Sequence, residues 1–285
     1  MALRRRSLIL SSAMAPLADA WSAAPGRRVR IPHVSARADM GSSYPAQLLD
    51  QALAAAGVPV TLEPTPELIP QNRALHELGQ RRGRLDVVWT MTSAEREKQA
   101  MAVRVPIFKG LYGWRLLLAL PEVAERMRRV TSLAELKKFS MVQGLDWPDT
   151  GILQANGINV VVSPNYEAMF KQLRLGRVDA FPRSVEEIWW ELERYGQGLV
   201  VVPDIVLHYP APIYYFVAPD DAPLASAIYV GLQRMRADGS FDKLFNKHHG
   251  DDLGRAKLGA RRAIEMSNPL LPPDSQGQPD MWFKP

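Results

Sequence analysis

The chain has 285 residues, of which 47% are hydrophobic and 23% charged, a composition typical of a soluble globular protein with one large or two medium domains. It contains no cysteine, which excludes disulfides, thiolate metal sites and cysteine nucleophiles. Basic residues exceed acidic ones by 35 to 30. The basic runs are short and scattered among acidic residues, whereas nucleic-acid binding requires a dense basic stripe.

The first 24 residues have the order of a secretory signal. Three arginines at residues 4–6 precede a short apolar run, and small residues follow up to Ala20 and again up to Ala24. The apolar run is too short to span a bilayer, and Arg5-Arg6 also loosely fits a twin-arginine signal. We expect cleavage near Ala20 or Ala24 and export to the periplasm. Loss of three arginines and one aspartate would lower the formal net charge from +5 to +3.

Strands and helices alternate along the mature chain, which predicts an α/β fold with mainly parallel sheets. The first block predicts, in chain order, a strand at 27–33, a helix at 44–57, a strand at 58–64, a helix at 70–82, a strand at 85–90 and a helix at 92–100. A second block alternates in the same way between 132 and 203, and two helices at 222–239 and 241–250 close the fold. The proline-rich tail after Asn268 is expected to drape over the surface.

Two extended segments separate these blocks. The segment 103–120 contains Gly110 and Gly113, and the segment 208–217 contains the Pro210-Ala211-Pro212 run. Glycines inside a long extended segment suit a crossing between domains better than a sheet interior. Both segments are therefore candidate crossings between domains.

Three motifs give the chain a family resemblance. RLDVVWTMTSAERE at 84–97, LRLGRVDAF at 173–181 and GLQRMRADGSFDKLFNKH at 231–248 resemble, in this order, the periplasmic solute-binding proteins of ABC transporters. The type is the polar-amino-acid one (family 3) with the type II fold, and the chain looks like a divergent member. The resemblance implies two lobes that close over a ligand by a hinge motion. Gly110, Gly113 and Pro210 in the two crossings are the hinge candidates, with an ordinary turn as the alternative for the glycines. Lobe 1 would comprise residues 27–109 and 212–285, and lobe 2 residues 110–211.

Arg96 is the strongest candidate for ligand binding in lobe 1. The resemblance implies that it holds a ligand carboxylate, and a guanidinium matches a carboxylate with two parallel hydrogen bonds. Ser93 lies at the expected start of a helix, where backbone N–H groups favour an anion. The alternative is that Ser93 only caps the helix and that Arg96 pairs with Glu95 or Glu97. His33, after the first strand, faces the cleft in the family's arrangement, although a surface histidine is the simpler interpretation.

In lobe 2 the loop GLDWPDT at 144–150 follows a strand and precedes a helix, at the edge of the sheet where ligands bind in open α/β folds. The resemblance implies a hydroxyl donor here, which Thr150 could supply, with Trp147 as an apolar wall. The alternative is that Asp149 caps the helix and Trp147 belongs to the core.

The stretch VDAFPRSVEEIWWELER at 178–194 predicts a strand that breaks at Pro182 and a helix that begins at Ser184. Ser184 and Glu187 form the capping-box pattern S-x-x-E. In the amino-acid binders that the chain resembles, a carboxylate near this position holds the ligand's ammonium group. Here Ser184 stands in that place beside Arg183, which suggests a ligand with anionic groups instead of an ordinary α-amino acid.

These observations predict a binding protein without catalysis or cofactor, because no spacing demands a general acid or base in the cleft. The adjacent His248 and His249 point in different directions on a helix and do not suggest a metal site. The expected partners are a small polar, carboxylate-bearing ligand and the membrane permease of an ABC transporter, with no nucleic acid and a monomeric chain. The alternatives are a ligand-sensing subunit for a membrane signalling partner and an exported dehydratase-like enzyme.

Overall fold

The computed structural model of the protein describes residues 28–33, 43–80, 83–273 and 281–285. The predicted signal segment 1–24, with its cleavage sites at Ala20 and Ala24, lies outside the described residues. The strands are β1 Arg28–Ile31, β2 Thr61–Pro64, β3 Val87–Met91, β4 Met101–Val103, β5 Trp114–Ala119, β6 Ser140–Gly144, β7 Asn159–Ser163, β8 Phe181–Ser184, β9 Val200–Val201, β10 Ile205–His208, β11 Ile213–Val217 and β12 Arg262–Glu265.

The helices of the described ranges are α1 Tyr44–Ala55, α2 Gln71–Gly79, α3 Ala94–Gln99, α4 Pro121–Met127, α5 Leu133–Leu136, α6 Pro148–Ala155, α7 Tyr166–Arg174, α8 Val185–Tyr195, α9 Ala222–Ala237 and α10 Ser240–Ala256. None of these helices is long and apolar enough to cross a membrane. The alternation of strands and helices confirms the α/β class that the sequence predicts.

Lobe 1 is built around two small sheets. In one, β1 pairs with β2 in parallel, and in the other the order is β3-β11-β4 with antiparallel pairing. Strand β11 is buried at all of its positions, which matches its wholly apolar and aromatic sequence IYYFV. Helix α9 lies close against α1, where a Cβ atom at Gly231 would be 1.8 Å from the carbonyl oxygen of Ala52.

Lobe 2 contains a five-stranded sheet with the order β12-β10-β5-β8, in which β9 also pairs with β5, and the parallel pair β6-β7. Pairing in the larger sheet is antiparallel except between β10 and β12. The sheets are thus mixed, not mainly parallel as the sequence suggested. The physical reason is the crossing, because β5 enters lobe 2 in one direction and β10 runs back beside it toward lobe 1.

The two crossing segments run side by side. The Tyr209 N–H donates to the Gly113 carbonyl at 3.2 Å, and the rings of Trp114 and His208 stack with their centroids 4.0 Å apart. A Cβ atom at Gly113 would lie 1.9 Å from the Tyr209 carbonyl oxygen, so glycine permits this approach. Gly113 therefore lies where the two segments touch, although its role as a hinge stays a prediction.

The tail does not simply drape over the surface as predicted. Strand β12 joins the sheet of lobe 2, although residues 212–285 were expected to belong to lobe 1. Beyond it, the Asn156 side chain in lobe 2 bonds both to the Ser267 carbonyl at 2.7 Å and to the Ser267 N–H at 3.1 Å. The Leu270 carbonyl then accepts the Ala94 N–H of lobe 1 at 2.8 Å. The tail is therefore a third connection between the lobes.

The last residues contact the crossings themselves. The Asn268 amide donates to the Pro210 carbonyl at 2.8 Å, and the Phe283 N–H donates to the Lys109 carbonyl at 2.7 Å. Gly110 has a φ of 72°, and a Cβ atom there would be 2.0 Å from the Trp282 ring. Both the backbone conformation and the packing thus require glycine at this position.

Two helical glycines offer a matched test of the packing in lobe 1. Gly231→Ala should lower the free energy of unfolding by about 1–3 kcal/mol, because the added methyl overlaps α1 backbone. Gly250→Ala on α10, where a Cβ meets open space, should raise it by about 0.5–1 kcal/mol through helix propensity. Urea unfolding followed by circular dichroism measures both. Equal effects of the two substitutions would contradict the close packing of α9 on α1.

Candidate functional site

A cavity of about 610 Å³ lies between the lobes and draws its walls from both. Residues of lobe 1, among them His33, Trp89 and Thr90, face residues of lobe 2, among them Trp147 and Arg183. Helix α10 contributes a further wall through His248, His249 and Asp252. This volume suits a small molecule, since ligand pockets typically span about 300–1,000 Å³.

A buried charge network connects this cavity to both crossings. The Asp149 carboxylate on α6 accepts a hydrogen bond from Arg115 Nη2 at 2.5 Å and another from the Tyr209 hydroxyl. Arg115 belongs to the first crossing and Tyr209 to the second. Burial alone would lower the pKa of Arg115, but Asp149, Tyr209 and Glu187 outweigh it and raise the pKa above its ordinary value. The alternative that Asp149 only caps α6 is wrong, since its carboxylate bonds to both crossings.

A second guanidinium in the cavity wall is held by two carboxylates. Arg183 lies 2.7 Å from Glu187 and 2.7 Å from Glu191, and its guanidinium stacks over the Trp147 ring at 4.6 Å. Burial alone would raise the pKa of Glu187, but Arg183 and then Arg115 outweigh it and hold the pKa below its usual range. Arg183 thus faces the cleft with its charge already balanced by Glu187 and Glu191.

The chain around Pro182 does not break its strand as the sequence predicted. The strand does not end at Pro182 but runs through it, as β8 pairs with β5 over Phe181 to Ser184. Proline is tolerated here because β8 is an edge strand. Ser184 is the N-cap of α8, which begins at Val185, and the Glu187 carboxylate accepts the Ser184 N–H at 3.1 Å. Ser184 is fully buried and lies behind the cavity wall.

Arg96 is buried in lobe 1 and lies outside the residues that line the cavity. Its guanidinium donates to Thr90 Oγ1 at 2.6 Å, to the Met91 carbonyl at 2.8 Å and to Asn72 Oδ1 at 2.8 Å. Burial lowers the pKa of Arg96 to about 10, although Asp149 opposes the shift. Within the described ranges no carboxylate pairs with Arg96, so the alternative of an ion pair with Glu95 or Glu97 is wrong.

The predicted anion site at the start of α3 is occupied by the protein itself. Ser93 caps the helix, with its hydroxyl oxygen accepting the Arg96 N–H at 3.1 Å, and the first helical N–H, that of Ala94, donates to the Leu270 carbonyl. The tail connection described above therefore covers the helix terminus that was expected to face an anion. The capping interpretation of Ser93 is the one the structure favours.

Of the remaining predicted site residues, Trp147 and His33 line the cavity and Thr150 does not. The Thr150 hydroxyl donates to the Gly144 carbonyl at 2.7 Å and lies outside the cavity lining, so it is used within its own loop. Trp147 lines the cavity and stacks on Phe181 with centroids 6.2 Å apart, which combines the wall and core interpretations. His33 lines the cavity, and its Nδ1 lies 3.1 Å from the Thr65 carbonyl oxygen.

Sequence reasoning missed the residues that form most of the charged wall. Arg115 interrupts the apolar strand sequence WRLLLA, and a single buried charge in such a run is a signal for a partner. Glu187 was interpreted only as the capping-box partner of Ser184, yet it lines the cavity together with Glu186. The sequence predicted a helix at 241–250, but nothing in it indicated that α10 lines the cavity, because its side chains reach the cavity through tertiary packing.

His249 is a buried histidine of unusual environment. It is 2% exposed, packs against Tyr44 with ring centroids 4.6 Å apart, and neither ring nitrogen has a hydrogen-bond partner in the described part of the chain. Burial, aided by His248, lowers its pKa from 6.5 to about 3. The imidazole is therefore neutral at physiological pH. Among the described residues no group of three or more His, Asp or Glu side chains could hold a metal ion.

The buried charge network at the crossings should contribute far more to the free energy of unfolding than a surface ion pair does. Asp149→Asn should lower the free energy of unfolding by about 3–5 kcal/mol, because it leaves Arg115 without its closest counter-charge in a buried site. The matched control is Glu95→Gln, which breaks the exposed Glu95–Lys98 pair and should cost less than about 1 kcal/mol. Urea unfolding at neutral pH compares them. Similar losses would contradict a dominant role for the network.

His249 should make stability fall with acidification. Because its pKa in the folded chain is about 3 and its ordinary value is 6.5, its contribution is full above pH 6.5 and is lost as pH falls toward 3. The loss should be about 1.4 kcal/mol for each pH unit within that window. In His249→Phe this component should disappear, so the unfolding free energy of the unsubstituted protein should fall relative to that of the variant as the pH is lowered from 6.5 to 4. Parallel pH profiles would contradict the neutral buried imidazole.

No protein-family model and no curated protein matches the chain. Solved structures do match the chain. The probable amino-acid ABC transporter extracellular-binding protein of Bacillus subtilis is 16% identical, with a TM-score of 0.60 over 80% of this chain and 100% of that one. A histidine kinase sensor domain similar to periplasmic binding proteins is 18% identical, with a TM-score of 0.58 over 79% and 97%.

A third similar structure is that of an ancestral amino-acid-binding protein, a precursor of cyclohexadienyl dehydratase. It is 17% identical, with a TM-score of 0.56 over 78% of this chain and 94% of that one. Likeness at such identities shows the fold alone. The chain therefore has the two-lobed fold of periplasmic solute-binding proteins, which confirms the fold that the sequence resemblance predicted.

Proposed function

We propose that this chain is an exported solute-binding protein that captures a small polar ligand in the cleft between its lobes and delivers it to the permease of an ABC transporter. The observation that carries the proposal is the cavity of about 610 Å³ with walls from both lobes. A ligand that contacts both walls favours the closed arrangement, which is how binding becomes hinge closure in two-lobed proteins.

The position of the charge network supports closure around Gly113 and Pro210. Asp149 lies in the cavity wall and bonds to Arg115 and Tyr209, one from each crossing. A ligand beside Asp149 is thus one residue away from both segments about which the lobes would turn. This motion fits the division into lobe 1, with residues 27–109 and 212–285, and lobe 2, with residues 110–211. Strand β12 is the exception, because it joins the sheet of lobe 2.

The carboxylate anchor that the resemblance implied has little support from the contacts. Arg96 donates to three oxygens of lobe 1, and Ser93 serves as a helix cap. We therefore propose a small polar ligand without assigning Arg96 or Ser93 to its binding.

A second candidate function is a ligand-sensing subunit for a membrane signalling partner. It is favoured by the similarity to a histidine kinase sensor domain, and it requires the same ligand-dependent closure. Catalysis has weaker support: the carboxylates of the cleft are already engaged by guanidinium or phenol donors, as for Asp149 with Arg115 and Glu186 with the Tyr112 hydroxyl at 2.8 Å.

Ligand capture is tested on the mature chain, beginning after the signal segment. A thermal-shift screen of small metabolites, extended by calorimetry, should reveal a stabilising ligand, and small-angle X-ray scattering should show a smaller radius of gyration when it is bound. Mass spectrometry should recover the ligand unchanged. Conversion of the ligand would favour an enzyme, whereas stabilisation without compaction would contradict capture by closure.

Transport and sensing are separated in cells. Deletion of the chain should abolish uptake of the identified ligand if the chain delivers it to a permease. Unchanged uptake together with a lost transcriptional or phosphorylation response to the ligand would instead support the sensing subunit.

A further inference from the structure

The tail segment 266–270, which we call the strap, begins firmly on lobe 2. The Met266 N–H donates to the carbonyl of His208, at the end of β10, at 2.8 Å. The Asn156 side chain bonds both to the carbonyl and to the N–H of Ser267. These hydrogen bonds fix the first two residues of the strap to lobe 2.

The middle of the strap is a turn held beside the second crossing. The Asn268 side-chain amide donates to the Pro210 carbonyl at 2.8 Å, and its Oδ1 accepts the Leu270 N–H at 3.0 Å. An asparagine that bonds to the backbone two residues further on forms an Asx turn, and the ring of Pro269 fixes the φ angle inside it. The strap therefore has little freedom to stretch while this turn is intact.

The strap reaches lobe 1 through its last residue. The Leu270 carbonyl accepts the Ala94 N–H at 2.8 Å, whereas the Leu270 side chain stays against α6 of lobe 2, where a Cβ atom at Gly151 would be 3.5 Å from its Cδ1. Among the hydrogen bonds described for the strap, this one alone ends in lobe 1, and several hold the strap to lobe 2 and the second crossing. The bond to Ala94 is therefore the one that yields first when the lobes separate.

The length of the strap limits that separation. Leu270 is three positions after Ser267, and three residues span at most about 11 Å when they are fully extended. The turn at Asn268 uses part of this reach. A wider opening on this side of the cleft therefore requires that Leu270 leave Ala94.

We propose that the strap restrains the opening of the cleft and that the hydrogen bond between Ala94 and Leu270 is its releasable end. While the bond is formed, the two lobes stay within the reach of the strap. Once it is broken, a wider range of openings becomes accessible about the two crossings. The inference adds to the proposed function a limit on how far the empty cleft opens, and its test needs no ligand.

The substitution Ala94→Pro removes the releasable end and keeps the helix. Ala94 is the first residue of α3, a position where the fixed φ and the missing N–H of proline are compatible with a helix. Ser93 before it is already extended, with a ψ of 161°, as the residue before a proline prefers. Loss of one hydrogen bond should raise the ratio of open to restrained protein by about 3- to 10-fold. The matched control Ala94→Ser keeps the N–H and should leave the ratio unchanged.

A longer strap tests the limit on reach separately. Insertion of Gly-Ser-Gly-Ser between Pro269 and Leu270 leaves the groups of both anchors in the chain and adds up to about 14 Å of reach. The lobes should then separate further even with Ala94 unchanged. The same insertion after Gly198, an exposed turn of lobe 2 where a Cβ atom meets open space, is the control and should have no effect.

Pulsed electron paramagnetic resonance on the mature chain without ligand measures the opening. Spin labels at Asp50→Cys on α1 and Lys171→Cys on α7, both exposed, report the distance between the lobes, and circular dichroism checks that each variant is folded. The distance distribution should become longer and broader with Ala94→Pro and with the insertion after Pro269, and it should stay the same in the two controls.

An unchanged distribution in the insertion variant overturns the restraint, even if Ala94→Pro fails to fold, and so does equal broadening in the controls. Either result, combined with a ligand that compacts the chain, overturns the strap and leaves the solute-binding function standing. Broadening as expected, combined with a screen in which no metabolite binds, supports the strap and contradicts the proposed function.

Discussion

The structure depends on one buried carboxylate that both crossings share. Asp149 receives Arg115 from the first crossing and Tyr209 from the second, at the point where Gly113 brings the two segments into contact. A guanidinium can be buried there only because carboxylates surround it, and the carboxylates can be buried only because guanidinium and phenol groups donate to them. Arg115 and Asp149 of this network also line the cavity, so a ligand there would meet the same groups that join the two crossings.

The charge of the cavity follows from this arrangement. Among the described residues, three arginines near the cleft have oxygen acceptors within the protein: Arg115 and Arg183 have carboxylates, and Arg96 has neutral oxygens. Two carboxylates of the wall are engaged as well, since Asp149 accepts from Arg115 and Glu186 accepts from the Tyr112 hydroxyl. The tail closes off a further expected anion site, because the Leu270 carbonyl accepts the Ala94 N–H at the start of α3. These charged groups thus already have partners within the protein.

Much of the fold could be predicted from the sequence, because periodicity and glycine or proline punctuation are local signals. The alternating strands and helices, the two crossings and the cap at Ser93 are of this kind. The site could be predicted only in part. Whether Arg183 is free or paired depends on Glu191, eight positions along the chain, and whether Arg96 reaches the cleft depends on packing against Asn72. Strand β12 pairs with β10 across more than 50 residues, and no local pattern announces such a pairing.

Ligand capture by this fold requires that a ligand in the cleft close the two lobes about the network at Asp149. The absence of cysteine from the sequence allows a direct measurement, because spin labels can be placed on Asp50→Cys in lobe 1 and Lys171→Cys in lobe 2, both exposed helical positions. Pulsed electron paramagnetic resonance then gives the distance between the lobes with and without a saturating concentration of the ligand found in the thermal-shift screen. The distance distribution should become shorter and narrower when the ligand is bound. An unchanged distribution under saturating binding would contradict capture by closure.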